Sequence, residues 1–334
     1  MTLRQAQGPV LAEEEVDAAT AAIARDEARA LSEARDEASG TVLDPVARDA
    51  GALDGQPTRR ANVARLFARG RRPSWTLVAA VAVIVIAVLW AATPWLFTAY
   101  DPIDGVPAQK LLPPSAEHWF GTDAIGRDLY ARVVYGAIHS LSGALIAVTV
   151  GLAAGTLLGV VAGSVGGWLD DVLMRVVDVL LSIPGLLLSL SVIILLGFGT
   201  VNAAIAVGIG SVASFARLSR SEVVRVRRTD YVEAAFGSGG SFASVLRRHV
   251  LPNSLTAVVG LAALQFGGAI LAISTLGFLG YGAPPPTPEW GLLIAEGRNY
   301  VATAWWLTTL PGLVVLVVVL SANRISQSIG RGTR

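Results

Sequence analysis

Apolar runs long enough to cross a lipid bilayer recur along this chain, and they restrict its fold more than any other feature. The first, Trp75–Phe97, is 23 residues long. At about 1.5 Å of helical rise per residue it covers the ~30 Å hydrocarbon core of a membrane. Further runs follow at 141–164, 173–198, 201–216, 254–280 and 303–322. In lipid every backbone polar group needs an internal partner, so such runs read as helices. Composition agrees: 53% of the 334 residues are apolar and only 15% charged, against about 25% charged in soluble domains. The expected class is an all-α integral membrane protein with six transmembrane helices.

Charge sets the orientation. Residues 1–58 hold twelve acids against five arginines, whereas Arg59, Arg60, Arg65, Arg69, Arg71 and Arg72 form a basic collar just before the first span. Basic residues flanking spans favour the cytoplasmic side, so the N-terminus is expected inside. Six spans then place 98–140, 199–200 and 281–302 outside, with 165–172, 217–253 and the C-terminus inside. The outer segments carry only Lys110, Arg127, Arg132 and Arg298, while the inner ones are rich in arginine. Four segments result. Residues 1–72 form an acidic, partly helical or disordered cytoplasmic extension ending in the collar. Residues 73–140 hold the first helix and an extracytoplasmic segment, 141–325 the five-helix core, and 326–334 a cytoplasmic tail.

Gly151, Gly155, Gly159 and Gly163 stand at every fourth position of the second run. Such a ridge lets two helix backbones approach closely, which predicts a packed bundle. Pro184–Gly185 and Pro311–Gly312 are expected to kink their helices. No charge lies in the middle of a span, which argues against an ion-coupled carrier. Gln265 is polar at depth and reads first as a helix-to-helix contact rather than a substrate ligand, so no translocation path is assigned.

The inventory argues against catalysis. The single lysine, Lys110, has no glycine loop before it, so the chain lacks a phosphate-binding P-loop. There are no cysteines, and His118, His139 and His249 fall in no metal-ligand spacing. No catalytic residue, metal site or nucleic-acid interface is expected, the arginine collar being explained by its neighbouring span.

The cytoplasmic loop 217–253 is long for a connection between spans. It reads as helix, glycine turn at Gly237, Gly239 and Gly240, second helix, and then Pro252, which should end that helix before the membrane resumes. Asp230 and Glu233 are placed to cap and charge a helix start. Ala234 and Ala235 leave a smooth surface able to lie in a groove on a partner.

Glu233-Ala234-Ala235, Gly239 and Leu251-Pro252, at the spacing they have here, resemble the EAA loop of ABC-importer permeases. His249 departs from that pattern, which usually has an aliphatic residue at this place. Gly121-Thr122-Asp123-Ala124-Ile125-Gly126-Arg127-Asp128, with Arg132 and Tyr135-Gly136, is similar to a signature of the dipeptide/oligopeptide (peptide/nickel) permease C-type family. The stretch Gly277–Gly282 followed by Pro284-Pro285-Pro286-Thr287-Pro288-Glu289-Trp290-Gly291, and the Asp178–Pro184 segment, resemble the same family. The likeness spans roughly 72–325.

That resemblance implies the type I ABC importer permease fold in a bacterial cytoplasmic membrane, with both termini in the cytoplasm. It implies a second homologous permease subunit, two ATP-binding subunits that hold ATP and Mg, and an extracytoplasmic solute-binding protein. Glu233, Ala234, Ala235, Gly239, Leu251 and Pro252 would couple to the ATPases, whose closure would rock the helices between inward-open and outward-open states. Pro285, Pro286, Pro288, Glu289, Trp290 and Gly291 would brace against the binding protein, Trp290 as an apolar anchor at that interface, or frame the pore mouth. The implied cargo is a short peptide, with nickel complexes, glutathione or another small solute as alternatives. A stand-alone channel or secondary carrier is the competing class.

Overall fold

The computed structural model describes residues 75–332, and the acidic extension with its whole collar lies outside them. Nine helices organise the described residues. They are α1 Trp75–Ala92, α2 Leu129–Val165, α3 Gly167–Ser182, α4 Gly185–Leu196, α5 Thr200–Arg227, α6 Asp230–Gly237, α7 Phe242–Phe278, α8 Trp290–Gly297 and α9 Trp306–Gly332. Five of them, α1, α2, α5, α7 and α9, are long and apolar enough to cross a membrane. The pair α3 and α4 adds a sixth span only if counted together across a 97° bend.

The glycine ridge does what its spacing predicts. It runs along α5, and a Cβ added at Gly151, Gly155 or Gly159 would fall 2.0 Å from Ser211 Oγ, 2.4 Å from Val212 O and 2.3 Å from Ala216 O respectively. No side chain fits there, so the two backbones meet directly. Around this seam Ala137, Leu141 and Ala144 of α2, Ala203, Ala206 and Phe215 of α5, and Ile270, Ile273 and Leu276 of α7 form the main core.

Several expected boundaries move, each for a physical reason. The second span lengthens to 37 residues because Asp128 caps it early, its Oδ1 accepting from Ala131 N at 2.7 Å. The run 173–198 is two helices rather than one kinked span. Ile183 is extended beside Pro184, and a residue before proline is driven out of the helical region. Ser189 Oγ donates to Ala206 O at 3.4 Å, and Asn202 Nδ2 donates to Leu196 O at 3.0 Å, tying α4 to α5.

Pro252 does not end the second helix of the loop. That helix is continuous with the fifth span as α7, and the residues before the proline, Leu246–Val250, form a π-turn. Proline cannot donate the usual i to i−4 bond, and one wider turn accommodates the missing donor without breaking the rod. α9 likewise continues through Pro311.

Candidate functional site

Three places along the bundle carry the residues that the sequence singles out. At one end, the signature 121–128 folds as a tight turn closed by a bridge between Thr122 and Asp128. Asp123 Oδ1 accepts from Ile125 N at 2.9 Å and from Arg127 N at 3.0 Å, an arrangement that fixes the loop. Its other oxygen accepts from Arg127 Nε at 2.6 Å and Arg132 Nη1 at 3.1 Å. Both arginines also reach Glu296 of α8, Arg127 at 3.3 Å and Arg132 more closely. Two cations thus share two carboxylates, and Arg132 is only 1% exposed. Beside them His118 Nδ1 lies 2.8 Å from Asp128 Oδ2, both side chains buried.

The same end holds the proline-rich stretch, and here the expected contact surface is corrected. Pro285 and Pro286 are exposed, but Pro288, Glu289, Trp290 and Gly291 are buried. Trp290 is no exposed anchor: it is 0% exposed, and its Nε1–H donates to Val133 O at 2.9 Å. Glu289 caps α8, accepting from Gly291 N and Leu292 N at 2.9 Å each, and Ser140 Oγ donates to it at 3.2 Å. Burial raises the Glu289 pKa above the ordinary carboxylate range, against the lowering effect of those three donors. The signature residues Gly121, Thr122, Asp123, Gly126, Arg127 and Asp128 are all buried as well. Both motifs brace this chain internally.

Loop 217–253 forms the other end. α5 runs on to Arg227, so the loop begins as an extension of a membrane helix. Val223, Val226, Val232, Val245 and Val250 form a separate small core, with Val160, Ala235 and Leu246 packed on it. Arg220 grips Asp170 with two bonds, Nε to Oδ1 at 3.0 Å and Nη2 to Oδ2 at 2.6 Å. Arg227 Nη1 donates to Gly163 O at 2.9 Å and Ser164 O at 2.6 Å, satisfying carbonyls at the C-terminal turn of α2. Asp230 and Glu233 lie in the first turn of α6, but the cap position is Thr229, with no side-chain cap bond. Glu233, Ala234, Gly239 and Pro252 are exposed, whereas Ala235 and Leu251 are half-buried. Tyr231, Phe236 and Phe242 are exposed on the same segment.

Between the two ends α2, α4, α5 and α7 enclose a cleft of about 260 Å³. Gly185, Gly210, Gly268, Ala147, Ala269 and Ala272 supply small walls, and Ser189, Ser211 and Gln265 supply its polar side chains. Gln265 therefore faces a cleft rather than bonding a neighbouring helix. Sequence reading also missed the pairing of Glu296 with Arg127 and Arg132, because it joins residues more than 160 positions apart. The Arg220–Asp170 grip escaped it for the same reason.

The chain is similar to known proteins. Residues 155–334 match the family described as the binding-protein-dependent transport system inner membrane component. The chain is 37% identical over 284 residues to the probable D,D-dipeptide transport system permease protein DdpC of Escherichia coli strain K12, covering 85% of this chain and 95% of that one. It is 40% identical over 254 residues to the dipeptide transport system permease protein DppC of Alkalihalophilus pseudofirmus, covering 75% and 84%. Among solved structures, a chain of the MetNI methionine ABC transporter in an inward-facing conformation superposes with a TM-score of 0.51 at 17% identity. That match covers 61% of this chain and 96% of the other, and it is a likeness of fold.

The helices therefore build a multi-pass membrane permease of the type I ABC importer fold. The chain belongs to the binding-protein-dependent transport system inner membrane component family, as a transmembrane subunit of an ABC importer.

Proposed function

We propose that this chain forms half of the translocation pathway for short peptides and takes its energy from cytoplasmic ATPase subunits through loop 217–253. The single observation that carries this reading is the construction of the loop. Glu233 and Ala234, with Tyr231, Phe236 and Phe242, present an exposed face on a segment held rigid from below by five buried valines. An exposed apolar face on a stiff support is what a docking helix requires. The dipeptide permeases with which the chain shares 37% and 40% identity support peptides as the cargo.

In this reading the loop end faces the cytoplasm, as the arginine excess there requires. A second homologous permease completes the pathway, an extracytoplasmic binding protein delivers the peptide, and ATP with Mg is held by the two ATPases. The chain is itself non-catalytic, its lone Lys110 serving no P-loop. Closure of the ATPases would move α6, and with it α5 and α7, as one body.

Gly239 supplies the test. Its φ is +85°, a conformation costly for a residue with a Cβ, yet nothing lies within 4 Å of where that Cβ would be. Gly239→Val should therefore distort the turn between α6 and α7 without touching the core. In the reconstituted complex we expect ATP hydrolysis to continue while peptide uptake is lost. Uptake that stays coupled to hydrolysis would refute the role of the loop.

A further inference from the structure

The cleft between α2, α4, α5 and α7 contains no charged side chain and one side-chain amide. Ala147 and Val148 stand at the midpoint of α2, so the cleft lies at half the height of the bundle. Ser189 and Ser211 spend their protons inside the protein, Ser189 Oγ donating to Gly185 O at 3.0 Å and Ser211 Oγ to Gly208 O at 2.8 Å. Only their oxygens remain, as acceptors. Gln265 differs: its carboxamide has no hydrogen-bond partner among the described residues, although it lines the cleft. A partly buried amide left without partners forfeits bonds that it can recover only from water or a ligand.

A carboxamide offers a donor and an acceptor side by side. A match to both at once is the N–H and C=O of one residue, which face the same side of an extended main chain and recur along every peptide. The remaining walls are glycine, alanine, valine and leucine, which accept side chains of varied shape without selecting for charge. Building on the peptide reading above, we infer that Gln265 is the residue of this chain that pairs with the main chain of the passing cargo, its oxygen accepting from the peptide N–H, so that the cleft recognises main chain and ignores side-chain charge.

The test compares a dipeptide with its analogue methylated at the peptide-bond nitrogen, which has lost the donor. Uptake of both is measured in proteoliposomes carrying the whole complex, with saturating binding protein. The wild type should prefer the dipeptide, and Gln265→Leu should reduce dipeptide uptake by about tenfold, the effect of one lost hydrogen bond, and abolish the preference. Persistence of the preference in Gln265→Leu would place the discrimination elsewhere and overturn the inference alone. A wild type that carries no dipeptide would instead overturn the peptide reading itself.

The absence of cysteine gives a second readout should the leucine variant fail to assemble. Gln265→Cys should react with a water-soluble thiol reagent in the assembled complex and be protected by dipeptide. A thiol there that is inert, or reactive without protection, would overturn the inference.

Discussion

The two ends of this bundle are finished in opposite ways. At the signature end, charged groups are buried and answer one another within the chain: Asp123, Arg127, Arg132 and Glu296 interlock, Asp128 caps α2, and Glu289 caps α8. At the loop end the buried part is a cluster of valines, while aromatic and acidic groups of α6 and its surroundings stand exposed. The first end pairs its charges with one another, leaving only single nitrogens such as Arg132 Nε and His118 Nε2 without a partner. The second has spent its apolar residues on rigidity and left its outer face exposed among the described residues. A surface made in that way suits repeated docking, since the chain holds its shape whether or not the face is covered.

Removing a member of the interlocked charges should have the largest effect. Arg132→Leu leaves Asp123 and Glu296 with Arg127 alone in a buried setting. Breaking a buried pair costs about 3 kcal/mol or more. Thermal unfolding of the detergent-solubilised complex should show the loss, and an unchanged midpoint would mean that this end is not self-sufficient. Next comes the valine cluster. Val232→Ala removes two methyl groups from a fully buried site, a loss of about 1.5 kcal/mol. Here the effect should appear less in unfolding than in faster hydrogen exchange of α6 and weaker coupling of hydrolysis to uptake. Equal protection of α6 in both proteins would remove the argument that the small core makes the loop stiff.

The smallest effect concerns pH. Glu289 has a folded pKa above its unfolded one, so the folded state binds more protons between the two values. Stability then falls as pH rises from the ordinary carboxylate range through the raised pKa and is level beyond it. Glu289→Gln keeps an acceptor for the α8 cap but removes the titration, and should flatten that slope. A slope unchanged in Glu289→Gln would assign it to another group.

What the sequence disclosed follows from the range over which each signal acts. Spans, the glycine ridge and the helix–turn–helix of the loop depend on neighbours within a few turns, and all three are present. Boundaries fared worse where a single residue decides them: Asp128 starts α2 twelve residues ahead of the apolar run, and Pro184 divides the third span. The reading of Trp290 failed because a proline-rich outer stretch looks like a surface. Nothing local reveals that Val133 waits to accept its indole N–H. Gln265 differs from its expectation for the converse reason, since a polar residue on a membrane helix usually bonds a neighbour and this one lines a cleft.

The π-turn in α7 has a mechanical consequence. By accommodating Pro252 it keeps Phe242–Phe278 a single continuous helix of 37 residues, about 55 Å of helical rise. The foot of that column stands beside the turn at Gly239, while Gly277 near its head rests against the carboxylate of Glu289. In the coupling reading proposed above, a thrust delivered at the foot would travel along one continuous helix that also carries Gln265.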